Sequence, residues 1–264
     1  MNKVIRAEFG RTINAGLIIA IAGIIFSICF DSFNDLIAGL RNGQGYVGYF
    51  FSNAAFGGMC TKYMLPVFTA LPFSVSLCQE RNNKAVSYIV SREGKNRYIF
   101  AKFIVSAISG GFVAVCGTVL LFLMLAMRFP IAGDEFEGAV VSDYFHEWSA
   151  VYYPQLYILT LSILAFCRGV IWSSLALCVS LYTSDFMVVF LSPFLGSYVL
   201  VRIFQIIRVP DMVRPDMILI GQVVIKSSGL TLLIAIAISL TIVTLIGAFF
   251  VGKMKEGLKS GTIY

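Results

Sequence analysis

Six long runs of apolar residues limit what this chain can fold into. A helix needs about 20 largely apolar residues to cross the roughly 30 Å of hydrocarbon in a bilayer. Strands that cross outer membranes are about 10 residues long and alternate in polarity, whereas these runs are continuous. The sequence therefore predicts an all-α integral membrane protein with six transmembrane helices, at residues 13–30, 62–78, 103–127, 156–181, 186–207 and 229–251.

The composition agrees with a single membrane domain over residues 1–264. Hydrophobic residues make up 58% of the chain and charged residues 13%, against about 45–50% and 25% in soluble domains. The net charge is +6, which in a soluble protein would suggest nucleic acid as a partner. Because the basic residues lie between the apolar runs, we instead expect them to face the lipid bilayer and to set the topology, with no nucleic acid bound.

The distribution of lysine and arginine predicts the orientation. With the N-terminus inside, segments 1–12, 79–102, 182–185 and 252–264 face the cytoplasm and hold twelve of the 20 basic residues, against seven on the outer side. Lysine and arginine are enriched in the cytoplasmic loops of membrane proteins. We therefore expect a multi-pass protein of the plasma membrane with both termini in the cytoplasm.

Two segments outside the spans predict short helices at the membrane surface. In residues 1–12, Ile5 and Phe9 recur at four-residue spacing while the basic residues take other faces. This is typical of an interfacial amphipathic helix; the alternative is a disordered basic leader. On the outer side, residues 217–225 are apolar but too few to cross a bilayer. They predict a short re-entrant or interfacial helix before the last span, or else an outward extension of that span.

The predicted cytoplasmic loop 79–102 is longer than a turn requires. It carries six basic and two acidic residues. Within it, Val86, Ile89 and Val90 fit one face of a short helix. A charged, amphipathic loop suits docking to a soluble partner, although a solvated positive loop would give the same pattern.

Several kinds of chemistry are missing from the sequence. The single histidine, His146, lies in a predicted outer loop, which excludes histidine-based sites within the membrane. Neither a GxSxG nor a GxxxxGK[ST] motif occurs, so we expect no catalytic residue, no metal and no cofactor in this chain. The predicted spans contain no Asp or Glu, which disfavours an ion-coupled carrier. Among the six cysteines, a disulfide between Cys29 and Cys60 is the one pairing left open.

Arg168 is the only charged residue near the middle of a predicted span. A charge there costs about 2.5–3.5 kcal/mol on insertion scales, so it should face protein, water or a bound group. Two interpretations stay open. The side chain either contacts an anionic headgroup or carboxylate of a substrate, or it has a structural role.

The pattern as a whole resembles the permease subunits of type-2 ATP-binding-cassette exporters. The most specific stretch starts at Glu80-Arg81, passes through Ser91-Arg92 and ends at Lys102. In that family this place has a Glu-Arg start, a short helix, a Ser-Arg turn and a lysine entering the third span. The resemblance covers nearly the whole chain, mostly in its architecture.

The resemblance implies that residues 79–102 form a coupling helix inserted into a separate ATPase subunit, which holds the ATP and Mg²⁺. One departure is Lys84-Ala85, where the family usually has a glycine. A dimer with a second permease copy or a paralogue is also implied. The residues expected to contact the ATPase are Glu80, Arg81, Val86, Ile89, Arg92 and Arg97.

The predicted function is therefore that of a permease subunit, without enzymatic activity, in an ATP-driven exporter. Its substrate would be amphipathic, peptide-like or lipid-like, and would leave from the cytoplasm or the membrane. One alternative is a self-contained secondary transporter or channel. Another is a peptide-immunity or membrane-assembly factor.

Overall fold

The computed structural model describes residues 2–42, 47–48, 50–51, 58–74, 76–131, 148, 153–223, 225 and 227–260. Within these ranges the regular structure is helical, and no strand occurs among them. The elements are α1 (Asn2–Thr12), α2 (Ala15–Asp31), α3 (Phe33–Asn42), α4 (Met59–Ala70), α5 (Ser76–Asn82), α6 (Ala85–Glu93), α7 (Lys95–Ala126), α8 (Pro154–Val179), α9 (Phe186–Ile206), α10 (Pro215–Ile220) and α11 (Ser228–Ser260).

Four helices in the described part of the chain are long and apolar enough to cross a membrane: α7, α8, α9 and α11. A fifth candidate is α2 together with α1, from which it is bent by 58°. The prediction of an all-helical protein with several membrane helices is thus confirmed for the described residues. The full count of six and the sidedness stay predictions.

The second predicted span, 62–78, is not one continuous helix, and the prediction is wrong in this respect. Helix α4 ends at Ala70, residues 71–74 form turns, and α5 begins at Ser76. Pro72 lies in this break, where its missing N–H and its ring oppose a continuing helix. Pro66, by contrast, is accommodated inside α4.

The helices that follow the loops are longer than the apolar runs indicate. Helix α7 starts at Lys95 rather than at residue 103, and α11 continues to Ser260 rather than ending at 251. Both extensions are polar at their surface, yet they carry buried residues such as Tyr98 and Met254. They therefore lengthen the bundle beyond its apolar part at one end.

Helix α8 is the central element of the bundle, in contact with α4, α7, α9, α10 and α11. It crosses α7 with almost no space between the backbones, because a Cβ on Gly169 would lie 2.5 Å from the carbonyl oxygen of Gly110. Close by, the hydroxyls of Ser74, Ser106 and Ser173 are within 3.1–3.2 Å of one another. Small residues thus permit close helix packing in this core.

Two short helices match expected surface segments in part. Residues 2–12 form α1, and the apolar stretch predicted to lie on the outer side contains α10, which covers Pro215–Ile220 rather than 217–225. Gly221, with φ at +86°, ends α10 and separates it from α11. Helix α3 lies where the sequence predicts only an outer loop.

Candidate functional site

Helices α5 and α6 form a helical hairpin, defined here as residues 76–93, at the start of α7. The turn between them contains Lys84 in the left-handed conformation, with φ at +53°. Gly94, with φ at +86°, closes α6 and starts α7. A residue with a side chain rarely adopts the backbone conformation of Gly94, so glycine suits the junction between α6 and α7.

One face of the α5–α6 hairpin is apolar and packs on the bundle. Val86 is fully buried in a cluster with Leu77, Tyr98 and Phe250. Ile89 is half-buried and packs against the same cluster. Because the cluster includes residues of α7 and α11, the hairpin is fixed to the extensions of two long helices.

A buried ionic cluster, here the Glu8–Glu80–Lys102 network, joins the hairpin to α1 and α7. The Lys102 ammonium is fully buried and lies 2.8 Å from Glu80 Oε1 and 3.1 Å from Glu8 Oε2. Arg11 adds a second cation, 2.6 Å from Glu80 Oε1 and 3.3 Å from Glu8 Oε1. The Tyr98 hydroxyl donates to the other oxygen of Glu80.

The network balances two carboxylates with two cations, which is what makes the burial of these groups tolerable. Lys102 also donates to Ser76 Oγ at 3.0 Å, and its ammonium lies 4.6 Å from the centre of the Phe73 ring. Three segments that are distant in sequence therefore meet at one buried ammonium. Displacing any one of them would leave charges unpaired.

The six residues predicted to contact an ATPase have different environments. Glu80 and Val86 are buried by contacts within the chain. Arg81 is half-buried and donates to the carbonyls of Ser180 and Leu181, at the end of α8. Ile89 is half-buried, and Arg92 and Arg97 are exposed.

The outward face of the hairpin is polar with one large aromatic side chain. Tyr88 is 70% exposed, and Ser87, Ser91 and Arg92 are exposed beside it. Arg92 contacts only the neighbouring Glu93 among the described ion pairs, at 3.4 Å. This face, here the Tyr88–Arg92 surface, is open to a partner.

A second candidate site is a cavity of about 130 Å³, whose described lining residues come from α4, α8, α9, α10 and α11. Its walls are mostly apolar, with Ile171 and Leu175 from α8 and Leu219 from α10. Three charged residues also line it: Lys62, Arg168 and Asp216. We call it the Arg168 cavity.

Arg168 is buried to 8% exposure, and its Nε has no hydrogen-bond partner. Among the residues that the structure describes, no carboxylate lies within ion-pair distance of it. The nearby Asp216 is already engaged, with Arg214 at 2.8 and 3.2 Å and Lys62 at 3.9 Å. Hydrogen bonding to Asp216 also raises the pKa of the Arg214 guanidinium above its ordinary value.

The sequence leaves open whether Arg168 has a structural role or contacts a bound group. Among the described residues, no ion pair within the chain explains its burial. The sequence interpretation misses the ionic network, because it assigns Glu8 to a surface helix and Glu80 and Lys102 to a cytoplasmic loop that docks on a partner. One signal is present, since Glu8 is the only acidic residue among the first 30.

Comparison with protein-family models, curated proteins and solved structures finds no match for this chain. The six cysteines are free, so the disulfide left open between Cys29 and Cys60 is not formed. In the described part of the chain, no three His, Cys, Asp or Glu side chains cluster as metal ligands would.

Proposed function

We propose that this chain is the membrane subunit of an exporter driven by a separate ATPase, which docks on the Tyr88–Arg92 surface. The observation that carries the proposal is the two-sided construction of the α5–α6 hairpin. Its outer face is exposed and polar, while its inner face is held by apolar packing and by the Glu8–Glu80–Lys102 network. Force applied to such an element reaches the helices beneath it.

The connections of the hairpin favour force transfer over simple chain reversal. Through Lys102 the hairpin joins α7, and through Glu8 it joins α1, which leads into α2. Through Arg81 it joins the end of α8. A loop needed only to turn the chain would not require a buried ammonium shared by three segments.

A separate ATPase is part of the proposal because the sequence has no GxxxxGK[ST] motif with which to bind ATP. The resemblance to type-2 exporter permeases supports the same arrangement, including pairing with a second copy or paralogue. In this arrangement α2, α4 with the turns at 71–74, α7, α8, α9 and α11 supply six crossings. Both termini and the hairpin then face the cytoplasm, in agreement with the count of basic residues.

Site-specific photocrosslinking tests the docking surface in cells. A photoreactive amino acid replaces Tyr88, and in a matched strain it replaces Tyr153, which is also well exposed at 56% but lies at the start of α8. We expect a crosslink to one nucleotide-binding ATPase from position 88 and none from position 153. Absence of an ATPase crosslink at position 88, or equal crosslinks at both, would refute the proposal.

Charge reversal gives the functional arm of the same test. Arg92→Glu with Arg97→Glu should reduce both the crosslink and ATP-dependent transport in inverted vesicles, since both guanidinium groups are exposed. Lys259→Glu changes an exposed charge near the end of α11 and is the control. Transport that runs on an ion gradient without ATP would favour the secondary-transporter alternative instead.

A further inference from the structure

The Arg168 cavity is electrostatically unbalanced. Arginine stays protonated in proteins, so the buried Arg168 carries a full positive charge. Lys62, on α4, adds another to the lining. Among the described lining residues the one carboxylate is that of Asp216, which accepts two hydrogen bonds from Arg214 and lies 3.9 Å from the Lys62 ammonium. The cavity therefore has surplus positive charge within apolar walls.

Proteins normally avoid a buried charge without a partner, because losing hydration is unfavourable unless hydrogen bonds or an ion pair replace it. The buried charge of Lys102 is compensated within the chain, since its ammonium has two carboxylates and a hydroxyl within 3.1 Å. At Arg168 the Nε has no partner. Arg168 thus has no counter-charge within ion-pair distance among the described residues.

We propose that the Arg168 cavity binds the anionic headgroup, a carboxylate or a phosphate, of an amphipathic molecule. Both groups suit a guanidinium, whose planar donors pair with two oxygens at once. The apolar walls would take the first carbons that follow the headgroup. A cavity of about 130 Å³ is close to the roughly 150 Å³ that holds one benzene, so the rest of the molecule lies outside it.

The surroundings of the cavity suit an apolar tail. Two of its walls belong to α9 and α11, whose candidate membrane segments are only 22% and 17% buried within the chain, against 56% for α7 and 61% for α8. A tail that leaves the cavity beside these helices meets an apolar, lipid-facing surface. That this site is where an exporter takes its substrate rests on the proposed function; the binding itself does not.

Tryptophan fluorescence can measure this binding on the purified chain without any ATPase. Trp172 lines the cavity, and Trp148→Phe leaves it as the only tryptophan, because the sequence has two. The protein is placed in phosphatidylcholine nanodiscs and titrated with a bromo-fatty acid, a bromoalkyl phosphate or a bromo-alcohol of equal chain length. We expect saturable quenching by both anions, with affinity about tenfold or more above that of the neutral alcohol.

Substitution of the cation identifies its role. Arg168→Gln should lower the affinity for the anions to that of the alcohol, while Arg168→Lys should retain part of the difference. Arg202→Gln, which removes an exposed arginine on α9, should change nothing. Equal affinity for anion and alcohol, or an anion affinity unaffected by Arg168→Gln, would overturn the proposal.

Two further measurements separate the source of the anion and the state of the fold. If the natural occupant is a lipid headgroup, nanodiscs of phosphatidylglycerol compete and weaken quenching; if it is a free amphiphile, quenching is the same in both lipids. Arg168→Gln should resist SDS at least as well as the parent chain, since it removes an unpaired buried charge. Loss of resistance to SDS would mean that Arg168 is a structural residue, and would also overturn the proposal.

Discussion

Replacing Lys102 by methionine removes the buried cation between Glu8 and Glu80 and keeps most of the apolar stem of the side chain. The carboxylates would then face each other with only Arg11 near both of them, and Arg11 is 52% exposed. Glu80 keeps its hydrogen bond from Tyr98. Glu8 keeps only the 3.3 Å contact with Arg11 among the described ion pairs.

Breaking a buried ion pair by removing one partner costs about 3–5 kcal/mol of stability. Because Arg11 still compensates part of the negative charge, we expect Lys102→Met to lower the free energy of unfolding by about 3 kcal/mol, near the lower end of this range. The free energy of unfolding is measured by SDS titration in mixed micelles. The control is Lys253→Met, whose pair with Glu256 has a similar length of 2.8 Å but is exposed; it should leave stability unchanged.

A second variant tests whether the cost comes from the orphaned carboxylate. Glu8→Gln in the Lys102→Met background neutralises the group that lost its partner, and should recover part of the loss. The coupling between the two positions should be about 0.5–3 kcal/mol. If Lys102→Met behaves like Lys253→Met, or if the two substitutions are additive, the network does not hold the hairpin in place.

Gly169→Ala should destabilise the crossing of α7 and α8 by about 1–3 kcal/mol, because its Cβ would lie 2.5 Å from the Gly110 carbonyl oxygen. Gly252→Ala, with nothing within 4 Å, should leave the thermal midpoint unchanged or raise it; equal losses at both positions would contradict this packing. Asp31→Ala should cost about 1 kcal/mol, since its carboxylate accepts from the amides of Cys60 and Thr61 at the start of α4. Asp31→Asn should lose less stability than Asp31→Ala. An unchanged SDS midpoint for Asp31→Ala would exclude the capping role.

The sequence predicts the long helices well because hydrophobicity is a local property. The apolar runs locate α7, α8, α9 and α11 to within a few residues in their apolar parts. Their polar extensions are missed, because a helix that leaves the bilayer is no longer apolar, and residues 95–102 then have the composition of a loop. Helix α3 is missed for the same reason.

The break between α4 and α5 shows a different limit. Pro66 and Pro72 are visible in the sequence, but the length of the break depends on contacts with other helices. Here the turns at 71–74 are supported from other helices, and the Ser74 hydroxyl donates to the carbonyl of Ser173 at 3.0 Å. Such a partner, almost 100 residues away, has no signature near Pro72.

The two candidate sites also differ in how far the sequence reveals them. Arg168 is conspicuous in the sequence because one charge stands in an apolar run. The ionic network is not, since its members are ordinary charged residues in polar segments, and only the fold brings Glu8 within 3.1 Å of Lys102. Burial, which the sequence does not encode locally, decides whether such residues are solvated or paired.

Lys102 and Arg168 are both buried cations, but they differ in whether the described chain supplies their counter-charges. Lys102 has its counter-charges within the chain, so its removal should destabilise the fold. Arg168 lacks them in the described residues, so its removal should not, and only ligand binding should be lost. A chain in which both substitutions lowered stability equally would use these two buried cations for structure alone. Opposite effects would instead separate the part of the protein that we propose transmits force from the part that we propose holds an anion.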